Sequence, residues 1–502
     1  MSEFKKSILA NYIGKGWVAL MSFAFIPIYI KLIGIESYGF VGIYATLTAL
    51  LSVFDLGLSS AVNREFARFS MGGKSTYECG TLLRTIEIIY WCVGIVSGLC
   101  IITAAPMIIR YWINLENITS GIAEKSFYLM GVAFFLQWPC SIYASGLQGL
   151  QKQVLQNSIL VGFSSLKSIG AIMVLVYVSA GLPAFFIWQI IVSLLQVLVT
   201  ALCLWRSLPR GRYVFAVQSL RRVGRFSAGV GGISFLALIL GQMDKVMISK
   251  LMTMTIFSYY TLASVMASSV LFFATPIVSA YFPQFSQLVS TNNEEKLRSS
   301  YHTASQLVSL FMFPVGLIII FFSYDIILVW TGSLEIAKST YLSLSLLTIS
   351  FIFNGVMHIP YALQWADGWT KLGFYQHLIM IILAVPCIFI FTQMYGIMGA
   401  AITWNILNSS SIIIMIPLMH KRLLPHEQKK WYIEDNLMPL IGALSVVVPA
   451  YFVLKGILNP TKLVLSLSVL TVVAIFNTAF FTSSVRNRIQ KYLYREGDLE
   501  TK

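Results

Sequence analysis

The run Pro183-AFFIWQIIVSLLQVLVTALCL-Trp205 is followed at once by Arg206-SLPRG-Arg212. Twenty-three residues pass without a charged side chain, and then three arginines fall within seven positions. A helix rises about 1.5 Å per residue, so this run reaches roughly 34 Å, enough for a hydrocarbon core of about 30 Å. Lysine and arginine concentrate in cytoplasmic loops. The stretch therefore reads as one spanning helix that ends inside the cell.

The rest of the chain repeats the pattern. Of 502 residues, 57% are hydrophobic and 11% charged, and the mean hydropathy is +0.78. An average soluble domain carries about 25% charged residues. Folded surfaces need polar cover that this chain does not have. A soluble enzyme, a secreted disulfide scaffold and a disordered chain are excluded. A β-barrel would show alternating segments of about ten residues, whereas the apolar runs here are longer. Spans are expected near 8–33, 38–63, 84–109, 126–146, 157–178 and 183–205. A second set follows near 227–250, 256–282, 301–323, 339–362, 372–395 and 398–419, with two more near 437–456 and 460–482. The fold class is an all-α polytopic membrane protein of about 14 transmembrane helices.

The net charge of +15 is topological rather than a nucleic-acid signature. With the N-terminus inside, 25 of the 35 lysines and arginines fall on inner segments, seven on outer ones and three within spans. That asymmetry supports both termini in the cytoplasm and an even number of spans. Lys5 and Lys6 ahead of an apolar run superficially suggest a signal peptide. The run continues to Ile33 through Lys15 and Pro27 without a small-residue cleavage site, so it reads as a retained first span. The longest outer loop, Arg110–Glu124, is too short for an extramembrane catalytic domain. The six cysteines lack metal-ligand spacing and read as small core residues.

An internal repeat emerges when the sequence is shifted by about 219. Lys31-Leu32 falls on Lys250-Leu251, Ala61 on Ala280 and Phe66 on Phe285. Trp112 matches Trp330, Lys125-Ser126 matches Lys338-Ser339, and Leu147-Gln148 matches Leu363-Gln364, at offsets of 213–218. Six spans per unit give both halves the same orientation, which is the parallel-repeat plan of transporters. The expected organisation is a bundle over 1–205, a basic linker over 206–226, a second bundle over 227–420, an extra helix pair over 437–482 and a tail over 483–502.

Three stretches carry a family resemblance. Lys31-LIGIESY-Gly39 resembles the first loop of polysaccharide-biosynthesis flippases, and Asp55-LGLSSAVN-Arg64-Glu65 the end of their second span. Asp244-Lys245 with Tyr259-Tyr260 resembles the start of their second half. The chain is thus similar, over about 12–420, to Wzx-type O-antigen and capsule flippases of the multidrug/oligosaccharidyl-lipid/polysaccharide (MOP) exporter superfamily. The resemblance implies translocation of undecaprenyl-diphosphate-linked repeat units to the periplasmic leaflet of a bacterial inner membrane by alternating access. It implies a proton or sodium ion as coupling ion and no other cofactor. Partners would be the polyprenyl-diphosphate-linked glycan, membrane lipids, and a polymerase and chain-length regulator of the same pathway. The last two spans resemble the extra pair of the lipid II flippase.

Ionisable groups at membrane depth are costly and mark candidate sites. Lys167 lies 15 residues beyond Lys152, about 22 Å along a helix. It reads as a ligand for the lipid diphosphate or as half of a structural ion pair. Lys15, flanked by Gly14 and Gly16, reads as a second cavity cation or as a snorkelling lysine. Asp55 is either a protonatable coupling group or a partner for Lys15. Asp244 and Lys245 stand near the outer end of span 7 as gate or interface residues. Glu87 lies one turn after Arg84, where a local ion pair competes with a gating role. Arg64, with Glu65, is an inner gate or a cytoplasmic cap. Substrate contact is thus expected of Lys15, Lys167, Arg64 and Lys245, and ion coupling or gating of Asp55, Asp244 and Glu87.

His302, His358 and His377 are spread apart, so no metal site is expected. Trp17, Trp138, Trp188, Trp365 and Trp369 are candidates for stacking on sugars or for interfacial belts. Span 8 offers Ser264, Ser268, Ser269 and Thr275 in place of cations. No catalytic or nucleotide-binding motif is present, so no enzyme activity is expected. A multidrug/cation antiporter of the same fold is the alternative, although it would prefer an acidic cavity. A membrane glycan polymerase or ligase is a further alternative, although it would need a large outer loop.

Overall fold

The computed structural model describes residues 3–55, 57–70, 76–209, 211–456, 459–484 and 486, with side chains for all of these except 3–10, 12, 76 and 219–234. Among the described residues, twelve helices are long and apolar enough to cross a membrane, or thirteen when a bent pair is counted as one span. The span expected at 227–250 belongs to a further helix that lies partly outside the described side chains. The described residues contain no strand beyond one isolated bridge. The chain divides into two compact units, Met1–Ser258 and Tyr259–Lys502.

The first unit opens with α1 (Glu3–Ala24), α2 (Ile26–Ile33), α3 (Ile35–Leu51), a short 3-10 turn (Ser52–Asp55) and α4 (Leu58–Ser70). Pro27 sits in the first turn of α2, where its missing N–H and fixed φ are tolerated. The first span is therefore broken rather than straight. It reverses into α3 at Gly34, whose φ of 83° suits glycine. The span expected over 38–63 likewise breaks, at Asp55–Gly57, where Gly57 has φ 76°. Then come α5 (Thr76–Tyr111), α6 (Ser120–Gln137) and α7 (Cys140–Gly149). The fourth span is the α6–α7 pair, and Pro139 caps α7 at the break. The unit closes with α8 (Gln153–Tyr177), α9 (Leu182–Trp205) and α10 (Val217–Leu251).

Helix α10 packs with the first unit because its far end is tied to the loop after α5. Trp112 Nε1 donates to Ser249 Oγ at 3.1 Å. Asn114 Nδ2 donates to the carbonyls of Lys250 and Met252 at 3.2 and 3.3 Å. Lys250 Nζ donates to the Tyr111 carbonyl.

Helix α11 (Met254–Ser268) begins in the first unit and continues into the second at Tyr259, and α12 (Leu271–Ser290) follows, bent by 43° to it. The second unit continues with α13 (Glu294–Phe321), α14 (Ser323–Thr331), α15 (Leu334–Val356), α16 (His358–Ala366), α17 (Thr370–Tyr395) and α18 (Ile397–Leu423). Helix α13 is its buried axis: 72% of its spanning window is enclosed, against 22–56% in the other spans of this unit from α15 onward. After α18 a short turn, α19 (Gln428–Lys430), runs into a π-helical segment (Trp431–Leu437), then α20 (Met438–Leu454) and α21 (Pro460–Phe481). The span expected at 437 thus begins nine residues earlier, at Gln428. Helices α20 and α21 pack on each other and on α13. Asn459 caps α21 through two backbone N–H groups.

Candidate functional site

Of the side chains singled out by charge, Lys15 and Lys167 lie on adjoining helices of the first unit, α1 and α8. Helices α1 and α8 run side by side, tied by Asn157 Nδ2 to Asn11 Oδ1 at 2.6 Å and Trp17 Nε1 to Ser165 Oγ at 2.8 Å. Gly14 makes the approach possible, since a Cβ there would fall 2.3 Å from the Asn157 amide oxygen. Interpolation between the two ties sets Lys15 opposite Gly162. A Cβ on Gly16 or Gly162 would meet nothing within 4 Å, so the seam is open beside Lys15. Lys167 lies about 7 Å further along the α8 axis.

Lys15 is exposed and Lys167 half-buried. Among the described residues neither has an ion-pair partner. Lys167 lies near Cys140, at the start of α7. Tyr44 lies there too, donating to Gln137 Oε1 at 3.1 Å. A broken helix leaves backbone carbonyls free of their usual partners, which is tolerated at membrane depth where they line a polar space.

Asp55 does not pair with Lys15. Its Oδ1 accepts from Ser59 Oγ at 2.5 Å and from the Tyr90 hydroxyl. Tyr90 also reaches Ser141 on α7, and its ring stacks on Trp138 at 5.9 Å. The carboxylate thus reaches the same helix break from α4 and α5 that Lys167 reaches from α8. Trp138 is buried in this stack, and Trp188 is pressed onto Gly170, where a Cβ would lie 2.2 Å from the indole ring. Trp138 is therefore not free to stack on a sugar, while Trp188 is partly exposed. Trp17 remains 37% exposed and Trp365 45% exposed. Trp369 carries the Arg422 guanidinium 4.4 Å from its ring centroid.

Glu87 pairs with Arg84 at 2.8 Å, as a one-turn ion pair should. It also accepts from Tyr143 Oη at 2.6 Å and from Trp205 Nε1 at 3.2 Å. This buried carboxylate joins α5, α7 and α9. Arg64 and Arg68 both pair with buried Glu65, at 3.0 and 3.3 Å. Asp244 is buried, while Lys245 is half-buried and donates to Gln242 at 3.4 Å. The structure therefore sets Lys15 and Lys167 along the α1–α8 seam, and ties Asp55 to Tyr90 of α5 and Glu87 to Tyr143 of α7. It places Arg64, Asp244 and Lys245 elsewhere in the unit.

The family motifs prove to be packing devices. In the Lys31–Gly39 stretch, the two Glu36 oxygens accept the backbone N–H groups of Glu116 and Asn117, each at 2.8 Å. Gly39 admits Ser258, whose hydroxyl would lie 2.5 Å from an added Cβ. In the Asp55–Glu65 stretch, Asn63 lies against Gly149 of α7, as does Phe66 just beyond it.

The second unit holds a polar cluster that the sequence reading missed. His302, far from its fellow histidines in sequence, lies 2.6 Å from Asp435 and 3.0 Å from Glu427. The clue was a pair of acids, Glu434-Asp435, at the edge of an apolar run. With the span drawn from 437, they read as a loop.

A family profile described as "Polysaccharide biosynthesis protein" matches residues 30–334. This chain belongs to the polysaccharide biosynthesis protein family. A relative, "Putative O-antigen transporter" of Shigella flexneri, is 21% identical over 408 residues, covering 81% of this chain and 95% of that protein. The fold is shared with solved structures. One is "Lipid II flippase MurJ, inward closed conformation", with TM-score 0.72, 16% identity, and coverage of 96% of this chain and 99% of that one. Another is an inward-facing "multidrug resistance MATE family transporter of the MOP superfamily", with TM-score 0.64, 16% identity, and coverage of 82% and 96%. This member of the polysaccharide biosynthesis protein family is thus a multi-pass membrane protein by its long apolar helices, with a fold shared by a flippase and a multidrug transporter.

Proposed function

We propose that this transporter flips undecaprenyl-diphosphate-linked oligosaccharide from the cytoplasmic to the periplasmic leaflet of a bacterial inner membrane. Alternating access carries the cargo, a proton or sodium ion drives it, and both termini stay in the cytoplasm. A polymerase and a chain-length regulator would take up the product.

The observation that supports this most is Lys167, a cation within a span with no ion-pair partner among the described residues. An unpaired charge in hydrocarbon is expensive, and an anionic ligand would compensate it. Lys15 on the adjoining helix doubles the attraction, as a diphosphate requires. A cationic drug would meet repulsion here. Asp55, within hydrogen-bonding reach of Ser59 and Tyr90, is the group we assign to ion coupling.

The test is Lys167→Ala in a deletion strain, scored by surface polysaccharide at matched protein abundance. A loss of ten-fold or more is expected, with partial rescue by Lys167→Arg, which keeps the charge. Wild-type polysaccharide from the alanine variant removes Lys167 from the site.

A further inference from the structure

The polar cluster on α13 has an unusual proton count. The imidazole of His302 has a carboxylate oxygen at each nitrogen: Asp435 Oδ2 at 2.6 Å from Nδ1 and Glu427 Oε2 at 3.0 Å from Nε2. Each contact needs one hydrogen between nitrogen and oxygen. A neutral ring supplies one, and an ionised carboxylate none. The two contacts therefore exist together only when the three groups share one additional proton.

The surroundings suit such a site. Asp435 is fully buried and His302 nearly so. Asp435 Oδ1 also accepts from Gln306 Nε2 at 2.9 Å, and Gln306 in turn bonds Ser483 and Ser484 beyond α21, each at 2.9 Å. A cavity of about 620 Å³ reaches His302 and Gln306 past Glu294, Glu295, Lys430 and Glu434, which gives water a route in. Asp435 stands on the π-helical segment, a rare geometry that recurs at functional sites.

We infer that His302, Asp435 and Glu427 form a proton-binding site that fastens the C-terminal helix pair to α13. With the proton present, both links hold. When it leaves, one nitrogen faces a carboxylate without a hydrogen, and that link opens. Other charged or titratable groups face the cluster. They are Glu294, Glu295, Arg298 and Tyr301 on α13, His420 on α18, and Lys430, Tyr432 and Glu434 beside Asp435. The variants must therefore separate His302 from these. The site does not depend on the cargo proposed above.

The experiment is hydrogen–deuterium exchange of the full chain in lipid nanodiscs from pH 5 to 9, corrected for intrinsic exchange. In the wild type, amides 428–437 should lose protection at least ten-fold as pH rises. His302→Gln should leave them poorly protected at every pH. Glu427→Gln should keep them protected throughout, because its amide donates to a neutral imidazole and no extra proton is needed. A pH-independent wild type overturns the inference, as does a pH step that persists in either variant. Glu427 is at the edge of the cluster, so its variant remains informative if His302→Gln does not fold.

Discussion

Glu36 concentrates in one side chain what the family motif around it is for. Its carboxylate is nearly buried and accepts two backbone N–H groups from the loop that follows α5. Removing it leaves two donors without partners. Glu36→Ala should lower stability by about 2–6 kcal/mol, from an unmet cost of about 1–3 kcal/mol for each of the two groups, and the melting midpoint of the purified protein checks it. The sequence made Glu36 conspicuous by its motif and Lys167 by its cost. It did not reveal which carboxylates were already satisfied. Asp55 looked like a partner for Lys15, but Tyr90, 35 residues away on another helix, had the better geometry. Partners that meet only through tertiary packing leave no local trace.

Helices in lipid gain little from hydrophobic association and depend on close fit. The contact of α8 with α9 shows this, since Gly170 receives the face of Trp188 and the indole N–H donates to the Leu166 carbonyl at 3.1 Å. An aromatic ring cannot swing aside as a flexible chain does. Gly170→Ala should therefore destabilise by about 1–3 kcal/mol, an overpacking cost. Gly16→Ala, with open space around it, should be neutral or slightly stabilising because alanine is the better helix former. Paired thermal melts in one detergent decide the matter; equal losses in both would refute the packing argument. Helix existence was legible for the same reason that close fit was not. Twenty apolar residues announce a span, but the breaks at Phe25, Asp55 and Trp138 follow from Pro27, Gly57 and Pro139 in context. The expected span coincides with α20 itself but omits the helical turns ahead of it from Gln428, because Trp431–Leu437 carries two acids inside a helix.

At the scale of the whole molecule, the C-terminal pair is part of the second unit rather than an appendage. Helix α13 is its most enclosed span, and α20, α21 and the π-helical segment cover it. A chain ending at Glu427 would expose His302, Gln306 and Ser309, which now bond to Asp435, Asn436 and Ser483. Such a truncation should reduce membrane-inserted protein several-fold by quantitative immunoblot, instead of yielding an abundant but inactive transporter. Undiminished abundance would show that the pair is dispensable for folding. The sequence signalled the pair as two spans outside the repeat. It gave no sign of what they cover, because Asp435 and His302 are 133 residues apart.

The π-helical turn itself has a further consequence. Neighbouring residues of an ordinary helix point about 100° apart, yet Asp435 and Asn436 both engage α13, through His302 and Ser309. The wider turn, closed by Asn436 Nδ2 on the Trp431 carbonyl at 2.8 Å, is what lets consecutive side chains share one neighbour. It also sets the phase of everything downstream. Deleting one residue between 431 and 437 would rewind the turn and rotate α20 by about a quarter of a revolution. Gly442 would then move away from Phe481, whose ring would lie 2.8 Å from any Cβ placed there. The segment acts as a vernier between the two halves of its own helix, and its length, more than its composition, is what the fold has to keep.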